Sequence, residues 1–162
     1  MGLLVTFFTA SIFFSFLCSI LEAVLLSITP AYVATQDKNN TAISKKLSRF
    51  KEDIDRPLAA ILTLNTIAHT VGAIGVGAQA AIIFGASKIE FFGFAIISWE
   101  GFVAGAMTMA ILIFSEVIPK TLGANNWEAL TPLSIRIINL LMLVLAPMIW
   151  LSQLITRNRK KD

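Results

Sequence analysis

The chain has 162 residues, 56% of them hydrophobic and 14% charged, with a net charge of +3. A soluble domain carries about 25% charged residues, so this balance, with a mean hydropathy of +0.78, excludes an ordinary soluble protein. The small positive charge is no nucleic-acid signal, because the Lys and Arg gather at the flanks of apolar runs, as they do in membrane proteins.

The first apolar run extends from about Leu3 to Ile28 and ends before Pro30. It is long enough to cross a hydrocarbon core about 30 Å thick, which takes about 20 helical residues. It lacks a basic leader and is too long for a signal peptide, and a span beginning at residue 3 argues against reading Met1-Gly2 as a myristoylation signal. Cys18, the single cysteine, lies inside this run, so it has no partner for an intrachain disulfide and reads as a packed hydrophobe.

Residues 31–56 are polar. Lys38, Lys45, Lys46, Arg49, Lys51 and Arg56 stand there against Asp37, Glu52, Asp53 and Asp55, while Ile43, Leu47, Phe50 and Ile54 recur at helical spacing. That pattern predicts an amphipathic helix lying on the membrane surface. A second span follows over about 57–84, rich in small residues around Gly72, Gly75 and Gly77. A short connection with Lys88 and Glu90 leads to a third apolar stretch over about 91–118. In this stretch Gly101 and Gly105, like the glycines of the second, suggest close helix packing. The last apolar stretch, about 130–155, contains Pro132, Pro147 and Arg136, and the chain closes on a basic tail at 157–162.

Charge placement predicts the topology. The basic 31–56 segment belongs in the cytoplasm and the uncharged N-terminus outside. The third span then returns to the cytoplasm, and a full fourth crossing would put the basic tail on the wrong side. The expectation is an all-α integral membrane protein with three transmembrane helices. The segments 31–56 and 130–155 are then juxtamembrane helices and the C-terminus is cytoplasmic. A four-span bundle is the alternative.

Each predicted span carries oxygen-bearing side chains. Ser15, Ser19 and Glu22 share one face of the first helix at i, i+4 and i+7. Asn65 and His69 stand at i, i+4 on the second, with Thr66 and Thr70 beside them, and Thr108, Ser115 and Glu116 approach Pro119 on the third. Hydroxyl, amide and carboxylate oxygens are what a hard cation such as Mg²⁺ or Ca²⁺ prefers. Most intramembrane Ser and Thr simply bond a neighbouring helix, and His69 reads as a packed residue or a support for a ligand. Lys120 reads as a side chain reaching the headgroups. Glu22 and Glu116 differ, because a carboxylate at membrane depth costs about 3 kcal/mol or more unless compensated. A proline just after Glu116 also frees backbone carbonyls.

These residues resemble the transmembrane domain of the CNNM/CorC family, also called the DUF21 domain, over nearly the whole chain. The family's Ser-x-x-Glu-x-Ala-like motif is met by Ser19-Ile20-Leu21-Glu22-Ala23, with Leu21 where a second Ser stands. Its Asn-Thr pair is met by Asn65-Thr66, and its Gly-Glu-x-x-Pro-Lys-Thr motif by Ser115-Glu116-Val117-Ile118-Pro119-Lys120-Thr121, with Ser115 in place of Gly. The resemblance implies a homodimeric Mg²⁺ transporter or transport regulator. It implies export in exchange for Na⁺, a bacterial inner-membrane location, and cytoplasmic helices forming a belt. A dehydrated Mg²⁺ would be held by Ser19, Asn65 and Glu116, with backbone carbonyls near Ser19 and Ser115. Glu22 would be an acidic group for Na⁺ or gating, and the break at Pro119 a hinge. Family members continue into ATP-binding CBS domains. None lies within these 162 residues, and ATP is not an expected ligand of this chain. Enzymatic activity is not expected, since no nucleophile–base pairing or cofactor motif appears. The alternative function is a membrane protein that binds a cation structurally or regulates a separate transporter.

Overall fold

The computed structural model describes residues 2–37, 42–84, 88–91 and 94–157; the basic tail, apart from Arg157, lies outside these residues. The fold is helical. Helix α1 spans Gly2–Ser27, α2 Pro30–Asp37, α3 Ala42–Glu52 and α4 Asp55–Phe84. Strands β1 (Lys88–Phe91) and β2 (Phe94–Ser98) form an antiparallel hairpin, pairing Lys88 with Ser98 and Phe91 with Phe94. Helix α5 (Trp99–Ala110) continues through a π-helical stretch, Ile111–Val117, into α6 (Ile118–Asn125), and α7 (Trp127–Val144) and α8 (Ala146–Arg157) complete the chain.

Three predicted boundaries are corrected. The stretch expected to be helical from Phe91 begins instead as strand, and helix starts at Trp99. Phe94, Ile96 and Ile97 are β-branched or aromatic and favour a paired strand. The polar 31–56 segment is two helices and the first residues of a third. On α3 the buried face is Ser44, Leu47 and Phe50, which overlaps the predicted stripe at Leu47 and Phe50. The last apolar stretch begins earlier than predicted, at Trp127, and breaks at Leu145. Pro132 lies inside α7, whereas Pro147 sits in the first turn of α8, where a missing N–H costs nothing.

Four helical segments are long and apolar enough to cross a membrane: Gly2–Ser27, Asp55–Ile83, Gly101–Asn125 and Trp127–Val144. The last has 18 residues, about 27 Å at 1.5 Å per residue, which just matches a hydrocarbon core. Large apolar side chains face outward along these helices, among them Phe13, Ile74, Ile82, Met109, Leu143 and Val144. Such a surface would drive a soluble protein to aggregate. In a bilayer it is the surface that lipid tails solvate, and the chain is an integral membrane protein.

The chain folds as two compact units, Met1–Ser19 with Asn65–Pro119, and Ile20–Leu64 with Lys120–Asp162. In the first, α1 runs against α4. A Cβ added to Gly75 would fall on the ring of Phe7, and one added to Gly72 on the side chain of Ser11. One turn further along α1, Ser11 Oγ donates to the Ala68 carbonyl at 2.9 Å, and Ser15 Oγ lies 2.5 Å from His69 Nε2. Residue numbers rise on one helix as they fall on the other, so the two are antiparallel. Val76, Met107 and Ile111 form the buried apolar core here, with Phe7, Phe8 and Ile12 packed on it. The hydroxyl-bearing face of α1 thus lies against α4 because glycine lets the backbones approach.

In the second unit, Gly123 of α6 approaches α1, where an added Cβ would stand 3.0 Å from the Ile20 carbonyl oxygen. Tyr32 and Trp127 meet edge to face with ring centroids 5.0 Å apart. Lys51 Nζ donates to the Leu25 carbonyl at 3.2 Å, and its partial burial lowers its pKa from the usual lysine value.

Candidate cation site

The π-helical stretch carries the two residues of the third motif. In an α-helix each N–H reaches back four residues; here the Ile118 N–H reaches the Ile113 carbonyl, five back. Pro119, fully buried, then has no N–H with which to continue either ladder. A widened turn immediately before a proline sets Ser115 and Glu116 on a segment whose hydrogen bonding is already irregular. Such π-turns recur at functional sites.

Ser115 is wholly buried, and its Oγ lies 2.7 Å from the Ile111 carbonyl and 2.9 Å from Ser15 Oγ. Its single proton serves one of these at a time. If the proton goes to Ile111, Ser15 donates to Ser115 and His69 Nε2–H donates to Ser15. If it goes to Ser15, then Ser15 either donates to an unprotonated His69 Nε2 or accepts a second hydrogen bond from His69 Nε2–H. The same nitrogen lies 3.6 Å from Glu116 Oε1, which makes an ion pair when His69 is protonated. His69 and Glu116 are 30% and 28% exposed at the side chain. A hydroxyl, hydroxyl, imidazole and carboxylate thus link α1, α4 and the π-turn.

The next step of the same antiparallel ladder leads to the two predicted oxygen ligands. Ser19 follows Ser15 by one helical turn on α1, and Asn65 precedes His69 by one turn on α4. Both therefore continue the face on which Ser15 meets His69. Ser19 Oγ and Asn65 Oδ1 are buried from solvent, and neither has a hydrogen-bond partner among the described residues. An orphaned buried polar atom costs about 1–3 kcal/mol, so two of them on one face constitute a deficit that a ligand can fill. A positive ion suits both, because a hydroxyl oxygen and an amide oxygen each offer a lone pair.

Predicted site residues fall in both units. Ser15, Ser19, Asn65, His69, Ser115, Glu116 and Pro119 lie in the first; hydrogen bonds connect Ser15, His69 and Ser115, and the ion-pair contact adds Glu116. Glu22 and Lys120 lie in the second, where Lys120 Nζ stands 3.2 Å from Glu22 Oε2. Glu22 thus gives the partly exposed Lys120 a carboxylate partner. Thr66, Thr70 and Thr108 have exposed side chains. Ser11, absent from the predicted set, extends the Ser15–Ser19 stripe by one turn and bonds α4. The i, i+4, i+8 spacing of these three serines is its signal in the sequence. Among the described residues, no three His, Cys, Asp or Glu side chains are grouped as metal ligands. The candidate ligands these elements carry are mainly hydroxyl, amide and carboxylate oxygens, the chemistry of a hard cation.

Comparison with known proteins agrees with the motifs. Residues 6–159 match the CNNM family, described as the Cyclin M transmembrane N-terminal domain. A UPF0053 protein of Synechocystis sp. is 32% identical over 143 residues, covering 86% of this chain and 37% of that protein. A UPF0053 protein of Haemophilus influenzae is 26% identical over 137 residues, covering 85% of this chain and 30% of that protein. The chain spans about a third of the length of these curated relatives. With the family matched from the first membrane helix to the last, this chain belongs to the CNNM transmembrane-domain family.

Proposed function

We propose that the chain is a Mg²⁺ transport domain that binds the dehydrated ion between α1, α4 and the π-turn. Ser19 Oγ, Asn65 Oδ1 and the Glu116 carboxylate are its side-chain ligands, with backbone carbonyls near Ser19 and Ser115 completing the shell. The observation that carries this reading is the pair of orphaned oxygens, Ser19 Oγ and Asn65 Oδ1. Mg²⁺ demands near-octahedral oxygen coordination and gives up water reluctantly. A site for the bare ion must hold its oxygens ready, uncommitted to other partners, which describes these two atoms.

Glu116 supplies the charge. The side chains of Ser15, His69 and Ser115 position it and the π-turn, while the backbone near Ser115 contributes to the shell. The π-turn also offers a release step. Returning from i→i+5 to i→i+4 bonding turns the following residues about the helix axis, which withdraws the Glu116 carboxylate. Pro119 localises that change, since it anchors neither ladder. The direction is efflux, with Na⁺ as the coupled ion and Glu22 as an acidic group for Na⁺ or gating. The molecule is a homodimer in a bacterial inner membrane, with three spans per subunit. The N-terminus is outside, and the 31–56 and 130–155 segments are cytoplasmic. Charge placement and the family resemblance support these assignments.

Glu116→Gln in proteoliposomes is the test. Losing one partner of a buried charge pair costs about 2–5 kcal/mol, so Mg²⁺ flux at subsaturating Mg²⁺ is expected to fall by about thirtyfold or more. Undiminished flux would remove Glu116 from the ion path and with it the proposed site.

A further inference from the structure

In the second unit, α3, the start of α4 and the α7–α8 junction enclose a cavity of about 540 Å³, within the usual range for a ligand pocket. Its lining is divided by chemistry. Lys46, Arg49 and Arg56 bring three cations against the one carboxylate of Asp53. Phe50, Met142 and Ile149 supply apolar wall, and Phe50 and Ile149 are 2% and 3% exposed. Among the described residues, no ion pair engages Lys46, Arg49 or Arg56.

The chain sets this cavity at a membrane boundary. Arg56 is the second residue of α4, at the very start of an apolar span, and Ala146 follows the last residue of α7 by two. At that level a ligand with an anionic head and an apolar tail can meet both halves of the lining at once. A small soluble anion would satisfy the guanidinium groups alone and leave the apolar side of the cavity, bordered by Phe50, Met142 and Ile149, unused.

We propose that this cavity is a binding site for an anionic phospholipid. Its phosphate diester sits on Lys46, Arg49 and Arg56, and an acyl chain lies along Phe50, Met142 and Ile149. The recognised chemistry is a phosphate ester, and the apolar wall selects one that carries a chain. Basic pockets beside membrane helices hold lipid headgroups by this combination. The inference uses none of the groups assigned to the cation site, so either can fail alone.

Native mass spectrometry of the full chain, titrated in neutral detergent, tests it with three probes: dioleoylphosphatidylglycerol, dioleoylphosphatidylcholine and soluble glycerol phosphate. The expected result is retention of phosphatidylglycerol over phosphatidylcholine, with no competition from glycerol phosphate. Arg49→Gln with Arg56→Gln is expected to reduce that preference about tenfold or more. The charge-matched control, Lys45→Gln with Arg136→Gln, alters exposed residues outside the lining and is expected to keep it. Equal loss in both double variants would reduce the effect to overall charge and overturn the site. An unchanged preference in the arginine variant would overturn it as well, as would displacement of the lipid by glycerol phosphate.

Discussion

Asn65 and Ser19 are the residues at which folding and the proposed ion binding conflict. Each buries an oxygen with no hydrogen-bond partner among the described residues, so each destabilises the ion-free fold by about 1–3 kcal/mol. Asn65→Leu, close in volume and apolar, is therefore expected to raise stability without Mg²⁺ by about 1 kcal/mol. It is also expected to abolish the rise in Tm that saturating Mg²⁺ gives the unaltered chain. Thermal unfolding in detergent with and without Mg²⁺ checks both; a lower Tm without Mg²⁺ would mean that the Asn65 amide is structural. Ser115 shows what a sequence cannot reveal at this scale. It stands where the family has Gly, and nothing in one sequence says which way a serine will turn. The structure directs its hydroxyl to the Ile111 carbonyl and Ser15 Oγ. Asn65 and Glu116 are legible as candidates because amide and carboxylate groups are rare inside apolar runs. Ser11 is not, because a single hydroxyl there is common.

Among the elements, the α1–α4 pair and the π-turn carry the proposed site. The glycines of α4 announce close packing in the sequence, but not their partners. Gly72 receives Ser11 and Gly75 receives Phe7, so adding a methyl group forces one helix away from the other. Gly72→Ala is expected to cost about 1–3 kcal/mol, although alanine is the better helix former. It is also expected to weaken Mg²⁺ binding, since the Ser15–His69 and Ser19–Asn65 steps belong to the same antiparallel register. Unfolding and Mg²⁺ titration of this variant measure the two effects; unchanged stability would show that the register does not depend on that contact. The π-turn is only half legible. Pro119 predicts a disturbed ladder by its missing N–H, but the widening falls on the preceding residues, Ile111–Val117. That choice depends on tertiary interactions such as Ser115 with Ser15. The hairpin at 88–98 is hidden for a related reason: a short apolar strand and the start of an apolar helix look alike until a pairing partner is known.

At the scale of the whole molecule, the composition points to a helical membrane protein, and two tendencies act on the way the last apolar stretch meets the bilayer. Helix α7 is long and apolar enough to cross, whereas the basic residues after it favour the cytoplasm. Three spans put residue 45 and the C-terminal residue on the same side of the membrane; four put them on opposite sides. Cys18 is fully buried, which makes Lys45→Cys and Asp162→Cys usable as separate thiol reporters. Both are expected to resist a membrane-impermeant maleimide added outside intact cells and to react after lysis. External labelling of Asp162→Cys alone would establish the four-span arrangement.

The most direct measurement on the cation site is a structure of the full chain determined in Mg²⁺. The expected density places one ion within about 2.1 Å of Ser19 Oγ, Asn65 Oδ1 and a Glu116 carboxylate oxygen, the distance for direct Mg²⁺ coordination. An ion bound elsewhere, or one held among these residues only through an intact shell of water, would contradict it.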